Sequence, residues 1–184
     1  MVCFCDIRLS DISAHTKEYG DYGIGLGKEW GVRKELNPLI YISSQHSGIL
    51  GSFSDIITNQ DKAIRNSAAK LFLHFKPYSG EQNGKNRNFY NEREWRYIPE
   101  ENSKIMSLSK EKFDEDIERE SVNMKLANKK GLDFSFNDIK YIILKSQSEK
   151  QEISKVIARS FSVSEDDVYK NICFITKNMI EKDL

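Results

Sequence analysis

The sequence predicts an α+β fold, a single domain spanning residues 1–184 in which a central mixed β-sheet is packed by helices. Three observations lead there. Short runs rich in apolar residues, such as 1–7, 39–43 and 139–145, have the length and composition of strands. Between them, apolar residues recur at helical spacing, most clearly over 47–75 and 148–161. The length suffices to bury a core but is cramped for two independent domains.

Residues 1–7 read as a buried strand, after which Ser10 offers an N-cap for a helix ending near Tyr19 and Gly20. Tyr22-Gly23-Ile24-Gly25-Leu26-Gly27 is the next strand. Glycine at every second position leaves one face bare while Tyr22, Ile24 and Leu26 fill the other, so a neighbouring helix or a flat ligand is expected to pack closely there. The spacing lacks the Gly-x-Gly-x-x-Gly turn of a dinucleotide site. Residues 28–35 form a short helix, Asn37-Pro38 breaks it, and 39–43 return as a strand. Residues 47–75 make one long helix or a broken pair.

Residues 76–88, with Pro77, Gly80, Gly84 and three asparagines, read as a polar loop leading into a strand around Glu94. Residues 110–130 suit a mostly exposed helix ended by Gly131. Ser148 is the expected cap of the helix that runs through Phe161, and Ser164 starts a short one. Residues 172–175 give the last strand before a helical tail. The central sheet is therefore expected from the segments near Val2, Tyr22, Leu39, Glu94, Ile139 and Cys173.

Lysine plus arginine equals aspartate plus glutamate, 28 against 28, so no overall field draws nucleic acid or an anionic membrane. A basic surface for nucleic acid would have to come from Lys62, Arg65, Lys70, Lys85 and Arg87. No apolar run approaches the about 18 residues of a membrane span. Cys3 and Cys5 share one strand face without Cys-x-x-Cys spacing, and with Cys173 they are expected as free thiols of a cytoplasmic protein. His15, His46 and His74 form no ligand motif, so no metal site is expected. Neither a Gly-x-Ser-x-Gly elbow nor a phosphate-binding loop is present, which sets hydrolases and NTPases aside.

The stretch from Asn88 to Pro99 concentrates the chemistry, because two carboxylates alternate there with arginines around Trp95. Period-two alternation puts Glu92, Glu94 and Arg96 on one strand face, and Arg93, Trp95 and Tyr97 on the other, the expected core face. The carboxylates would sit roughly 7 Å apart. Their repulsion is expected to raise one pKa while Arg96 keeps the other ionised. A solvated edge strand with cross-strand salt bridges fits this pattern. So does a site with Glu92 and Glu94 as catalytic candidates and Ser43, Ser44, His46, Tyr90 and Arg96 as binding candidates. Strand-end serines with a Glu-x-Glu strand can hold a nicotinamide ribose and stabilise an oxocarbenium-like transition state by negative charge, with NAD as the cofactor.

The opening Met1-Val2-Cys3-Phe4-Cys5-Asp6-Ile7, then Tyr22-Gly23-Ile24-Gly25-Leu26, Lys28-Glu29-Trp30, Asn37-Pro38 and Glu92-Arg93-Glu94-Trp95-Arg96, resembles the AbiGi family of abortive phage resistance proteins. The resemblance implies a prokaryotic cytoplasmic defence protein, an antitoxin whose partner is a toxin encoded beside it. The order of elements is also similar to ADP-ribosyltransferase-like folds, in which a strand glutamate is catalytic, and this implies Glu94 or Glu92 in that role. The family further implies a block ahead of the Cys-Phe-Cys-Asp strand. This chain opens at that strand, so a truncated, inactive or interaction-only version without part of a nucleotide site is expected.

Overall fold

The computed structural model describes residues 1–43, 47–82, 84–99 and 114–183. Val2–Cys5 forms β1, and a 3-10 turn, Leu9–Asp11, leads into α1 (Ile12–Tyr19). Ser10 lies inside that turn instead of capping the helix; its hydroxyl donates to Asp11, which holds the N-cap position. Gly20 ends α1 at φ 110°, a backbone region that glycine enters without a Cβ clash. β2 (Gly23–Leu26), α2 (Lys28–Arg33), β3 (Asn37–Pro38) and β4 (Ile40–Ile42) follow. Asn37-Pro38 thus does more than break α2. It makes a two-residue edge strand, where the missing proline N–H is tolerated.

Residues 47–75 form the broken pair, α3 (Ser47–Ile57) and α4 (Lys62–Phe72), the second capped by the Asp61 carboxylate accepting from the N–H groups of Ala63 and Ile64. The expected loop over 76–88 is instead structured. It contains the end of β5 (Phe75–Pro77) and an antiparallel hairpin of β6 (Ser79–Gln82) and β7 (Lys85–Asn88), with Gly84 at φ 72° in the turn. Neither hairpin strand has an apolar face, so no alternation marked it in the sequence. β8 (Glu94–Tyr97) and α5 (Asp116–Lys130) come next, and α5 leaves Ile117 and Met124 exposed, as its composition implied.

β9 (Ile139–Leu144), α6 (Lys150–Phe161), α7 (Glu165–Asn171), β10 (Cys173–Thr176) and α8 (Lys177–Asp183) complete the chain. Ser146, and not Ser148, makes the capping box ahead of α6, with Glu149 as its partner; Ser164 does the same for α7 with Asp167. Among the described residues no helix is long and apolar enough to cross a membrane.

The architecture is α+β with small mixed sheets, and the six strands expected in one sheet are divided among three. β10-β9-β2 is one sheet, β1-β8-β3 a second, and β4 pairs with β5 in a third. Alternation fixes the face of a strand but leaves its neighbour open, so the sequence pattern could not separate them. β9 lies between antiparallel β2 and parallel β10, and its Ile142 and Leu144 join Ile157, Val168 and Phe174 in the main core. The crossover from β9 to β10 runs through α6 and α7, as a parallel pair requires. An aromatic chain links this core to the second sheet: Phe4 meets Trp30 edge-on at 5.4 Å, Trp30 meets Phe134 at 6.5 Å, and Phe134 meets Phe161 at 6.0 Å.

Side chains of β9 cover the bare face of β2. A Cβ placed on Gly25 would stand 2.2 Å from the Tyr141 ring, its cross-strand partner. On the other face Ile24 and Tyr22 remain exposed. Gly25→Ala should therefore destabilise the protein by about 1–3 kcal/mol, because the ring must leave its rotamer. Thermal unfolding measures this, and the same substitution made beside Tyr141→Ala should cost clearly less.

Candidate functional site

The register of β1 on β8 sets Cys5 opposite Glu94, Phe4 opposite Trp95 and Cys3 opposite Arg96. One face of this pair therefore carries two thiols, a carboxylate and a guanidinium, while the other carries Phe4 and Trp95. Glu94 and Arg96 do share a face, as alternation required. Glu92 does not reach them along the strand: it ends a 3-10 turn, Phe89–Glu92, and Arg93 follows in the left-handed region at φ 43°. This kink brings the Glu92 side chain back towards Glu94 from a different element.

Lys76, on β5, joins the two carboxylates. Its ammonium donates to Glu92 Oε2 at 2.6 Å and to Glu94 Oε2 at 2.7 Å, and stands 5.2 Å from the Phe89 ring centroid. Arg96 Nε donates to the other Glu94 oxygen, Oε1, at 2.6 Å. Arg96 Nη1 donates to the Leu73 carbonyl at 2.5 Å, which ties β8 to the end of α4. The Glu94 N–H donates to the Tyr41 hydroxyl on β4 at 2.8 Å. Tyr90 stacks on Tyr78 and meets Tyr41 edge-on, each at 5.3 Å. Tyr19 of α1 donates to Glu92 Oε1 at 3.2 Å, with the His15 ring 4.3 Å from its own.

This is no solvated edge. β8 is the centre strand of its sheet, and the Glu94 side chain is only 5% exposed. Within β8 Glu94 is the buried residue, while Trp95, Arg96 and Tyr97 are all half-buried, and Cys3 and Cys5 beside them on β1 are exposed. Burial pushes the Glu94 pKa up, but the hydrogen bonds from Arg96, Cys3 and Lys76 outweigh it and hold the carboxyl below the ordinary glutamate value. The expected rise from carboxylate repulsion does not reach Glu94, because a cation sits on each of its oxygens. Lys76 is the mirror case: burial pulls it down, and Glu92 and Glu94 push it above the ordinary lysine value.

The thiols feel the same field from the other side. Burial first, then Glu92 and Glu94, push the Cys5 thiol up to about 11, and burial with Glu94 also raises Cys3. Burial lowers the His15 pKa, helped by Arg87 and Lys76 and opposed by Glu92. Cys3, Cys5 and Cys173 are free thiols.

Of the expected binding residues, Arg96 and Tyr90 are in or beside this cluster, and Ser43 is half-buried directly after β4. Ser44 and His46 lie outside the described residues. Lys76, Tyr41, Tyr19 and His15 were not expected here. Lys76 is 18 residues from Glu94 in a segment read as a loop, and no local spacing signals it. The basic candidates are split: Lys62, Arg65 and Lys70 belong to α4, Lys85 and Arg87 to β7. Arg65 donates to the Asn59 and Gln60 carbonyls, and Arg87 donates to Gln82 and pairs with Glu18 at 3.6 Å. Next to the cluster, Ile42, Leu50, Phe72, Phe75, Lys76 and Pro77 line an apolar cavity of about 120 Å³.

Glu94→Gln leaves Lys76 and Arg96 short of a charge in an enclosed place, so it should cost about 3–5 kcal/mol. The pH dependence has a definite sign. The lowered Glu94 pKa contributes stability above the ordinary glutamate pKa that is lost as pH falls through the folded value. The raised Lys76 pKa contributes stability below the ordinary lysine pKa that is lost as pH rises through the folded value. Melting temperature against pH should show both limbs, and the acid limb should shrink in Glu94→Gln. For Cys5, the rate of reaction with a thiol reagent should be slow at neutral pH and keep rising beyond the ordinary cysteine pKa, levelling off only near pH 11.

Comparison with known proteins gives a consistent result. The family model described as "Putative abortive phage resistance protein AbiGi, antitoxin" matches residues 1–145. The abortive phage resistance protein AbiGi of Lactococcus lactis subsp. cremoris is 28% identical over 190 residues, an alignment covering 86% of this chain and 76% of the relative. No solved structure matches.

Proposed function

The chain belongs to the AbiGi family of abortive phage resistance proteins, and from that premise we propose that it is the antitoxin of a two-protein pair in the bacterial cytoplasm, restraining a cognate toxin by direct contact. The observation that carries this reading is the family match over residues 1–145, which spans β1 to β9 and so includes the whole ion cluster. The cluster supports a binding protein. Two carboxylates and two cations neutralise one another, and both Glu94 oxygens are engaged by protein groups. A transition-state stabiliser needs its charge directed at the reacting centre. Here Glu94 spends that charge on holding β8, β5 and the end of α4 together.

Co-expression with the protein encoded beside the chain's own gene tests the proposal. Growth arrest caused by that protein should be relieved by the parent chain, and Glu92→Gln, which leaves Glu94 with both cations, should relieve it to within about threefold. The purified parent should not consume NAD. Failure of the parent to relieve the arrest would sink the antitoxin reading. NAD turnover that disappears in Glu92→Gln with an unchanged circular dichroism spectrum would replace it with the transferase reading.

A further inference from the structure

The 3-10 turn that sends Glu92 into the ion cluster leaves Tyr90 and Arg93 exposed. Its backbone is fixed on both sides. The Asn88 side chain accepts from the Tyr90 N–H, the Arg93 N–H donates to the Tyr90 carbonyl, and the Asp6 N–H donates to the Arg93 carbonyl. The Tyr90 ring is held too, stacked on Tyr78 and edge-on to Tyr41, whose hydroxyl accepts from the Glu94 N–H. Tyr78 and Tyr90 are nevertheless 41% and 43% exposed, and their hydroxyls have no hydrogen-bond partner among the described residues.

Arg93 is the charge left over at this turn. Its guanidinium pairs with nothing among the described residues, and its backbone stands at φ 43°, which glycine adopts freely and an arginine only at a cost. The charges around it are engaged: Glu92 by Lys76, Glu94 by Lys76 and Arg96, Arg87 by Glu18, and Asp6 by Lys28. On the hairpin, register and alternation put Lys85, also unpaired, on the face of Gly80, Arg87 and Phe89, and turn Glu81 to the opposite face. The surplus beside the exposed tyrosines is therefore positive.

Immobilised tyrosine rings next to a free guanidinium have the composition of a protein-binding hot spot. The rings contribute area at little further loss of freedom, and the guanidinium takes a carboxylate through two parallel hydrogen bonds. A nucleic-acid strand asks for a run of free cations, whereas Lys62 and Lys70 belong to a different element, α4, and Arg65 donates to the Asn59 and Gln60 carbonyls. We propose that Tyr78, Tyr90 and Arg93 form the surface by which this chain docks an acidic patch of its toxin, with Arg93 on a toxin carboxylate. This rests on the antitoxin reading, to which it adds the place and the charge of the contact.

Titration of the full chain with the purified product of the neighbouring gene is the test. The parent should bind, and more weakly as salt is raised. Arg93→Glu and Tyr78→Ala should each bind at least about tenfold more weakly with an unchanged circular dichroism spectrum. Lys155→Glu, which reverses an exposed charge on α6, should bind like the parent. Should Arg93→Glu fail to fold, Arg93→Gly removes the same guanidinium at a φ that glycine accepts. A parent that does not bind the product overturns the antitoxin reading and this proposal with it. Binding that survives in both surface variants, or is lost equally in Lys155→Glu, overturns this proposal and leaves the antitoxin reading standing. A single-stranded oligonucleotide that the parent binds and both surface variants lose, while they still bind the product, would assign the surface to nucleic acid instead.

Discussion

Lys76 between Glu92 and Glu94, with Arg96 closing the second side of Glu94, is the constraint on which the N-terminal half of the molecule depends. Four charged side chains are taken largely out of water there, at considerable cost in solvation, and the cost is recovered only because every charge finds an opposite one at hydrogen-bond distance. Replacing a buried ion cluster by apolar residues of equal volume is often neutral or stabilising, so net stability is not its main contribution. Its strength lies in geometry. A displaced β5, a displaced 3-10 turn or a shifted β8 each leaves a buried charge alone, so alternative arrangements of these segments are penalised.

The rest of that half follows from the clamp. Arg96 reaches the Leu73 carbonyl and so fixes the end of α4, while the Glu94 N–H holds Tyr41 and with it β4. The two-stranded β4–β5 sheet, which would be marginal alone, is thereby secured to the β1-β8-β3 sheet. The α3–α4 hairpin is attached to this base through Leu73, with Ile49, Ile56, Ile64 and Leu71 exposed.

The other half is built on a different principle. β9 is apolar along nearly its whole length and needs cover on both faces: α6 and α7 pack on Ile142 and Leu144, and Ile12 of α1 with Ile180 of α8 packs on Ile143. Tyr141 lies across Gly25 of β2, and the chain of rings from Phe4 through Trp30 and Phe134 to Phe161 joins the two halves, with Trp30 Nε1 also donating to the Asp133 carbonyl. One half is specified by charge neutralisation, the other by shape.

The sequence by itself determined the α+β class, the apolar strand at 139–145, the helical character of 47–75, the shared face of Glu94 and Arg96, the close packing on the β2 glycines and the family. Each of these is written in a local period or an ordered set of motifs. Only the tertiary structure decided which strands pair, that the polar segment after α4 contains β5 and a hairpin, and that Glu92 reaches Glu94 through a 3-10 turn. It also decided that Lys76, remote from both in sequence, supplies the cation, and that Glu94 is the buried residue of β8 while Trp95 stays half-buried. Period-two alternation states which side chains share a face, but burial and charge pairing are properties of what packs against that face. Those neighbours come from elsewhere in the chain, beyond the reach of any local pattern.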